Sequence, residues 1–94
     1  MIVYLSHPYT GDEVKNIEHA STIALQLSYQ YTVFSPLNNF TFINSDFTYG
    51  QVMKMCLDML EKCDKLIYYG HSNGVDTEIA FAKKVGIPVE EWTE

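Results

Sequence analysis

The stretch Tyr68-Tyr69-Gly70-His71-Ser72-Asn73-Gly74-Val75-Asp76-Thr77-Glu78-Ile79-Ala80-Phe81-Ala82 decides the fold. It reads as the end of an apolar strand, a polar turn with two glycines, and the start of a helix. Strand, turn and helix in that order form the unit of a parallel α/β sheet, and ligands bind at such junctions. Glu78 sits near the start of the helix. A carboxylate there can serve as a nucleophile, a base or a hydroxyl clamp. It can equally be one of the acids that favour the first turn of any helix, where the dipole is positive.

On either side the same alternation continues. Residues 1–5 are a short run of strand formers, followed by the loop Ser6-His7-Pro8-Tyr9-Thr10-Gly11. Thr10 with Glu13 fits a capping box, and Val14, Ile17, Ala20, Ala24 and Leu27 give the following helix one apolar stripe that runs out near Gln30. Ile23 and Leu25 fall outside that stripe and offer a surface for self-association. Thr32-Val33-Phe34 is a second strand, closed by Pro36. Residues 37–49 mix Asn, Ser and Thr with aromatics and read as a lid, a dimer contact or a loop tucked over the sheet.

Gly50 to Lys62 is a second helix with the seam Val52, Cys56, Met59 and Cys63. Lys65 to Tyr69 is a third strand. Gly74 to Lys84 is a third helix facing inward through Val75, Ile79, Ala82 and Gly86, and Ile87-Pro88-Val89 opens a fourth strand. The pattern β-α-β-α-β-α-β predicts one domain over residues 1–94. It is a doubly wound, flavodoxin-like or Rossmann-like three-layer sandwich on a four-stranded parallel sheet of order 2-1-3-4. The crevice of such a sheet opens above strands one and three, between the loops Ser6–Gly11 and Gly70–Gly74. Glu78 lies about 60° from the buried seam, leaning over the sheet edge.

Composition narrows the function. The chain has 94 residues, 47% of them apolar, enough for a globular core. Its net charge is −6 and its six basic residues are all lysines, which argues against nucleic acid as a partner. Without arginine, a phosphate would rest on backbone amides. No apolar run approaches the ~20 residues that span a bilayer, and the N-terminus lacks a basic signal-type region, so a cytoplasmic location is expected. Cys56 and Cys63 lie on one helix face about 10 Å apart, too far to bridge. His7, His19 and His71 show no metal-ligand spacing. Neither a metal nor a cofactor is expected. His7 and His71 flank the crevice, either as proton donors to a departing base or as plain loop residues. Asp76 caps its helix, Asp64 terminates the second helix, and Trp92 anchors the tail or a dimer contact.

Three segments carry a resemblance. They are Tyr4-Leu5-Ser6-His7-Pro8-Tyr9, then Leu60-Glu61-Lys62-Cys63-Asp64-Lys65-Leu66-Ile67, and finally Ser72-Asn73-Gly74 with Glu78, Ala82 and Gly86-Ile87-Pro88-Val89. Together, over nearly the whole chain, they resemble the nucleoside 2-deoxyribosyltransferase-like superfamily, most closely its small, phage-associated branch. The resemblance implies cleavage of an N-glycosidic bond of a nucleoside or nucleotide. Glu78 would attack the anomeric carbon of the (deoxy)ribose, and water or another base would resolve the sugar–enzyme ester. A carboxylate suits an oxocarbenium-like transition state. The helix N-terminus would keep Glu78 ionised.

The resemblance makes Glu78 and Asp58 the candidate catalytic residues and Ser6, His7, Pro8, Tyr9, Ser72, Asn73 and Gly74 the candidate substrate contacts. The chain also departs from the pattern. The transferases place an aspartate where Ser72 stands, and their second acid falls at Cys56. Asp58 is the nearest carboxylate, but it points roughly 130° from the helix seam. The alternative reading is a catalytically weak module that binds or sequesters a nucleotide. A third is an interaction domain using the aromatic loop. The expected assembly is a homodimer or higher homo-oligomer.

Overall fold

The computed structural model describes residues 1–40 and 46–94. Its elements run β1 (Ile2–Ser6), α1 (Glu13–Leu27), β2 (Thr32–Phe34), α2 (Pro36–Asn39), α3 (Tyr49–Leu60), β3 (Lys65–Tyr68), α4 (Asn73–Val85) and β4 (Val89–Glu91). The strands form one parallel sheet in the order β2-β1-β3-β4, as the alternation predicts. β1 pairs with β2 from Ile2 opposite Thr32 and with β3 from Val3 opposite Lys65. Asp64 does not simply terminate a helix. Its carboxylate accepts from the Ile2 amide at 2.7 Å and its own amide donates to the Ile2 carbonyl at 2.8 Å, locking the start of β1 to β3.

Side-chain alternation along β1 sorts the core into two layers. Val3 and Leu5, with Ile67 of β3, pack against Ala20, Ile23 and Leu27 of α1. Tyr4 and Leu66 face the other way, onto Cys56 and Leu60 of α3, Cys63, and Ala82 of α4. Val3, Tyr4 and Leu5 are all fully buried, as central parallel strands covered on both faces must be.

Several local expectations are corrected. The N-cap of α1 is Asp12, accepting from the Lys15 amide, while Glu13 turns back to the Gly11 amide. The Thr10–Glu13 capping box therefore does not form, and the helix ends at Leu27 rather than near Gln30. Ile23 belongs to the buried stripe and Val14 is exposed, so only Leu25 remains of the proposed apolar surface pair. Pro36 does not end a strand into loop. It occupies the first turn of the short helix α2, where a missing amide hydrogen costs nothing. In α3 the inward residue is Leu60, fully buried, whereas Met59 is exposed. α3 closes at Leu60, which leaves Cys63 beyond its end. Of the aromatic stretch 37–49, residues 41–45 lie outside the described residues. Thr48, at its far end, caps α3 in a reciprocal capping box with Gln51.

α4 ends where Gly86 adopts a left-handed conformation, φ 83°, which lets the Ile87 amide reach the Ala82 carbonyl at 2.8 Å. Trp92 anchors the tail. Its amide donates to the Tyr68 carbonyl at 2.7 Å and its ring packs on the α1 side of the sheet. Among the described residues, no helix is long and apolar enough to cross a membrane.

Candidate functional site

The alternation that builds the core also builds the site. Tyr4 and Ser6 share one parity on β1 and point to the α3/α4 face. There they meet Glu78. The Tyr4 hydroxyl donates to Glu78 Oε2, and the Ser6 hydroxyl donates to Glu78 Oε1 at 2.6 Å. Each carboxylate oxygen thus has a hydroxyl donor from the central strand. Glu78 is only 6% exposed, with Val75 and Ala82 three residues before and four after it on the same buried stripe. It lies on the seam of α4 rather than 60° away, because Val75, Glu78 and Ala82 follow the 3–4 spacing of one helix face.

This burial revises the electrostatic expectation. Glu78 is five residues past the start of α4, beyond the turn where the helix dipole acts. Desolvation pushes its carboxyl above the ordinary range, while the hydrogen bonds from Ser6 and Tyr4 pull it partly back. Tyr4 is pushed strongly upward by burial first and by the Glu78 charge second, so it remains a hydroxyl donor. Cys56 also faces the Tyr4 hydroxyl, and burial raises its thiol to about 11. It is a protonated, uncharged group at neutral pH.

Glu78 lies in the wall of a cavity of about 650 Å³. Leu5, Leu37, Phe40, Val52 and Met53 supply an apolar wall. His7, Tyr9, Tyr49, Ser72 and Asn73 supply polar groups. Such a mixture of apolar surface and a few convergent polar groups suits a small organic ligand. The loop after β1 and the turn before α4 meet here. Gly70, in a left-handed conformation with φ 65°, lets the Pro8 ring come within 3.4 Å of where a Cβ would stand.

The residues singled out from the sequence are distributed as follows. His7, Tyr9, Ser72, Asn73, Gly74 and Glu78 line the cavity. Ser6 reaches it only through Glu78, and Pro8 only supports the Gly70 turn. Ser72 Oγ caps α4, accepting from the Val75 amide at 3.1 Å, a role the sequence suggests for Asp76. Asp58 is not part of this site. It is exposed on the outer face of α3 and pairs with Lys54 at 2.8 Å, as its angle from the helix seam requires. Cys56, at the position where the resemblance calls for an acid, does line the cavity. His71 is exposed and pairs with Asp76 at 2.9 Å, outside the cavity lining.

Tyr4 joins the site although it is not among the residues expected there, and the sequence does hold a signal for it. A tyrosine two positions before Ser6 on a central strand shares its face and has a hydroxyl that needs a buried partner. Among the described residues, no group of three or more histidine, cysteine or acidic side chains could hold a metal ion.

None of the six lysines lines the cavity. Lys15 and Lys65 pair with Asp12 and Glu90 on the surface, and Lys83 and Lys84 lie at the far end of α4. Among the described residues, the site therefore presents a buried carboxyl, hydroxyls, an amide side chain and a histidine, with no ammonium or guanidinium group.

The chain shares its fold with two solved enzymes. A 2-deoxyribosyltransferase from the psychrotolerant bacterium Bacillus psychrosaccharolyticus superposes with a TM-score of 0.71 at 22% identity, over 97% of this chain and 71% of that one. A 2-desoxiribosyltransferase from Leishmania mexicana superposes with a TM-score of 0.74 at 13% identity, over 97% of this chain and 63% of that one. The chain thus spans roughly two thirds of each enzyme's length. No curated protein matches it in sequence. One family profile, described as a domain of unknown function (DUF7768), matches residues 1–92, and the chain belongs to that family.

Proposed function

We propose that the protein cleaves, or transfers the sugar across, the N-glycosidic bond of a nucleoside, with Glu78 as the nucleophile. The observation that carries this reading is the buried Glu78 carboxylate in the wall of an apolar cavity, each oxygen held by a hydroxyl of β1. Attack at an anomeric carbon needs a fixed anion beside a developing positive charge, in a site that excludes water. Tyr4 and Ser6 hold the carboxylate in place without neutralising it, so little reorganisation accompanies the reaction. The fold shared with two 2-deoxyribosyltransferases supports a deoxyribonucleoside as the substrate.

The cavity favours a neutral ligand. It offers no lysine, and Glu78 would repel a phosphate placed near it. The Ser72-Asn73-Gly74 turn is the place a phosphate would take, on the first amides of α4. However, Ser6 already donates its hydroxyl to Glu78, and the Val75 amide at the start of α4 is already taken by Ser72 Oγ. The unphosphorylated nucleoside is therefore the better fit, with Tyr9 and Tyr49, both at least half exposed at the cavity rim, as surfaces against which a base can stack.

The competing reading is a module of the same fold that binds a nucleoside without turning it over. Cys56 favours it, since a protonated thiol stands where a second acid would assist leaving-group departure. Incubation with 2′-deoxynucleosides and their monophosphates, with chromatography for free base, separates the two. The enzyme reading expects base release from the nucleosides and none from the Glu78→Gln variant. Binding without release in both proteins supports the module instead.

A further inference from the structure

His7 is buried, lines the cavity, and begins a hydrogen-bonded chain that ends at the surface. Its Nδ1–H donates to the Pro8 carbonyl at 2.7 Å. Its Nε2 lies 2.8 Å from Nδ1 of His19 on α1, and His19 Nε2 meets the Glu94 carboxylate. Tyr69 stacks on His7 at 5.2 Å and meets the His19 ring edge-on at 4.5 Å, fixing both imidazoles. His19 and Glu94 border a second, open cavity on the α1 side. The chain therefore connects the interior of the candidate site to solvent.

Its proton count is set by its two ends. A carbonyl and a carboxylate only accept, and between them lie three hydrogen bonds, each needing one hydrogen. Two neutral imidazoles carry two. With all three bonds made, the third hydrogen is an extra proton, held as one imidazolium opposite the Glu94 carboxylate. Among the described residues, no other charged side chain takes part in these bonds: the partners are Pro8 from the loop after β1, Tyr69 from the end of β3, His19 from α1 and Glu94 from the tail. His7 is buried, whereas His19 borders the open cavity and meets the Glu94 carboxylate directly, so the extra proton of this chain belongs on the His19 side.

We propose that the His7–His19–Glu94 chain stores a proton and delivers it through His7 to the leaving base, supplying the acid that Cys56 does not. The proposal rests on Glu78 acting as nucleophile. As an electron pair of Glu78 forms the bond to the anomeric carbon, the C–N bond breaks and its pair stays on the base nitrogen. That nitrogen takes the proton of His7 Nδ1, which gives up its bond to Pro8. The proton on His19 Nδ1 crosses to His7 Nε2. Both imidazoles end neutral, with His7 donating to His19 and His19 to Glu94. When water opens the ester, His7 Nδ1 takes its proton and the chain is restored. His7 is the catalytic residue in this scheme. His19 and Glu94 are positioning residues that act through it.

The test compares two substrates and adds a spectroscopic readout. A 2′-deoxynucleoside needs a proton on its leaving base. A 4-nitrophenyl 2-deoxyriboside does not, because nitrophenolate leaves as an anion. Positioned acids contribute about 10²–10⁴-fold, so in single-turnover measurements of the first step His19→Gln and Glu94→Gln are expected to slow release of the nucleoside's base by a factor in or just below that range and to change release of nitrophenolate by no more than about twofold. Glu78→Gln stops both. Equal losses on both substrates in the chain variants overturn the relay and leave a structural role. Undiminished turnover in Glu78→Gln overturns the nucleophile, and absence of turnover in the wild-type protein overturns both.

Independently of turnover, ¹⁵N NMR of the histidines at pH 7 is expected to show one imidazolium shared by His7 and His19. A carboxamide in place of the Glu94 carboxylate can donate as well as accept, so Glu94→Gln is expected to lose that charge. Two neutral imidazoles in the wild-type protein would contradict the stored proton.

Discussion

Replacing Tyr4 by Phe tests how Glu78 is held. The ring stays in the core and only the hydroxyl leaves. With Glu78 ionised, the lost bond is one to a charged group, about 1.5–3 kcal/mol, whereas with Glu78 protonated it is an ordinary bond, about 0.5–1.5 kcal/mol. The folded-state pKa of Glu78 lies above its unperturbed value of 4.5. Its contribution to stability is therefore fully present below the unfolded pKa and is lost as the pH rises through the folded one. Removing Tyr4's donor raises the folded pKa further, so the loss extends to higher pH and is larger in the variant. Urea unfolding of both proteins from pH 4 to pH 8.5 is expected to give a Tyr4→Phe cost at high pH that is roughly double the cost at low pH. In thermal scans that is a midpoint fall of roughly 10 °C or more on the alkaline side. In a Glu78→Gln background the pH dependence of the cost is expected to vanish, which isolates the pair. A cost independent of pH would refute the view that Tyr4 supports an ionised carboxylate.

Glu78→Gln alone is expected to raise stability at pH 8 by about 0.5–2 kcal/mol, since it removes a buried charge whose presence serves function rather than folding; a destabilised variant by urea titration would count against this. Leu60→Ala, which opens the fully buried α3–sheet contact, is expected to cost about 2–5 kcal/mol and lower the thermal midpoint by roughly 10 °C or more. Cys56 is expected to resist iodoacetamide at pH 7.5 in the folded protein and to react once unfolded, its thiol being held near 11 by burial; rapid labelling of the native protein would show an exposed or activated thiol instead. Asp58→Asn is expected to leave both unfolding midpoint and turnover unchanged, because the Lys54–Asp58 pair is solvent-exposed; a loss of turnover would return Asp58 to the site.

The architecture is legible because it rests on regular periodicities. Strands of three to five residues alternating with three long helices of 12 to 15 leave little choice but a parallel sheet, and the order β2-β1-β3-β4 follows. Helix faces are less legible. Ile23 and Leu60 fall off the expected seams because a window of a few apolar residues fits two stripes about 100° apart, and only packing against Leu5 or Tyr4 chooses between them. Glu78 stands out in the sequence, but its setting does not. Its burial depends on two hydroxyls more than 70 positions away, contacts that no local pattern encodes. His19 is silent for the same reason: mid-helix it looks like a surface residue, and it acquires meaning only where the tail brings Glu94 back to α1.

The central claim is that Glu78 forms a covalent bond to the sugar. Incubating the protein with a 2′-deoxynucleoside, quenching in acid and measuring intact mass with peptide mapping tests it most directly. The expected result is a protein bearing one deoxyribosyl group on the peptide that contains Glu78, absent from Glu78→Gln. Base release with no adduct on that peptide, or an adduct that persists in Glu78→Gln, would contradict it.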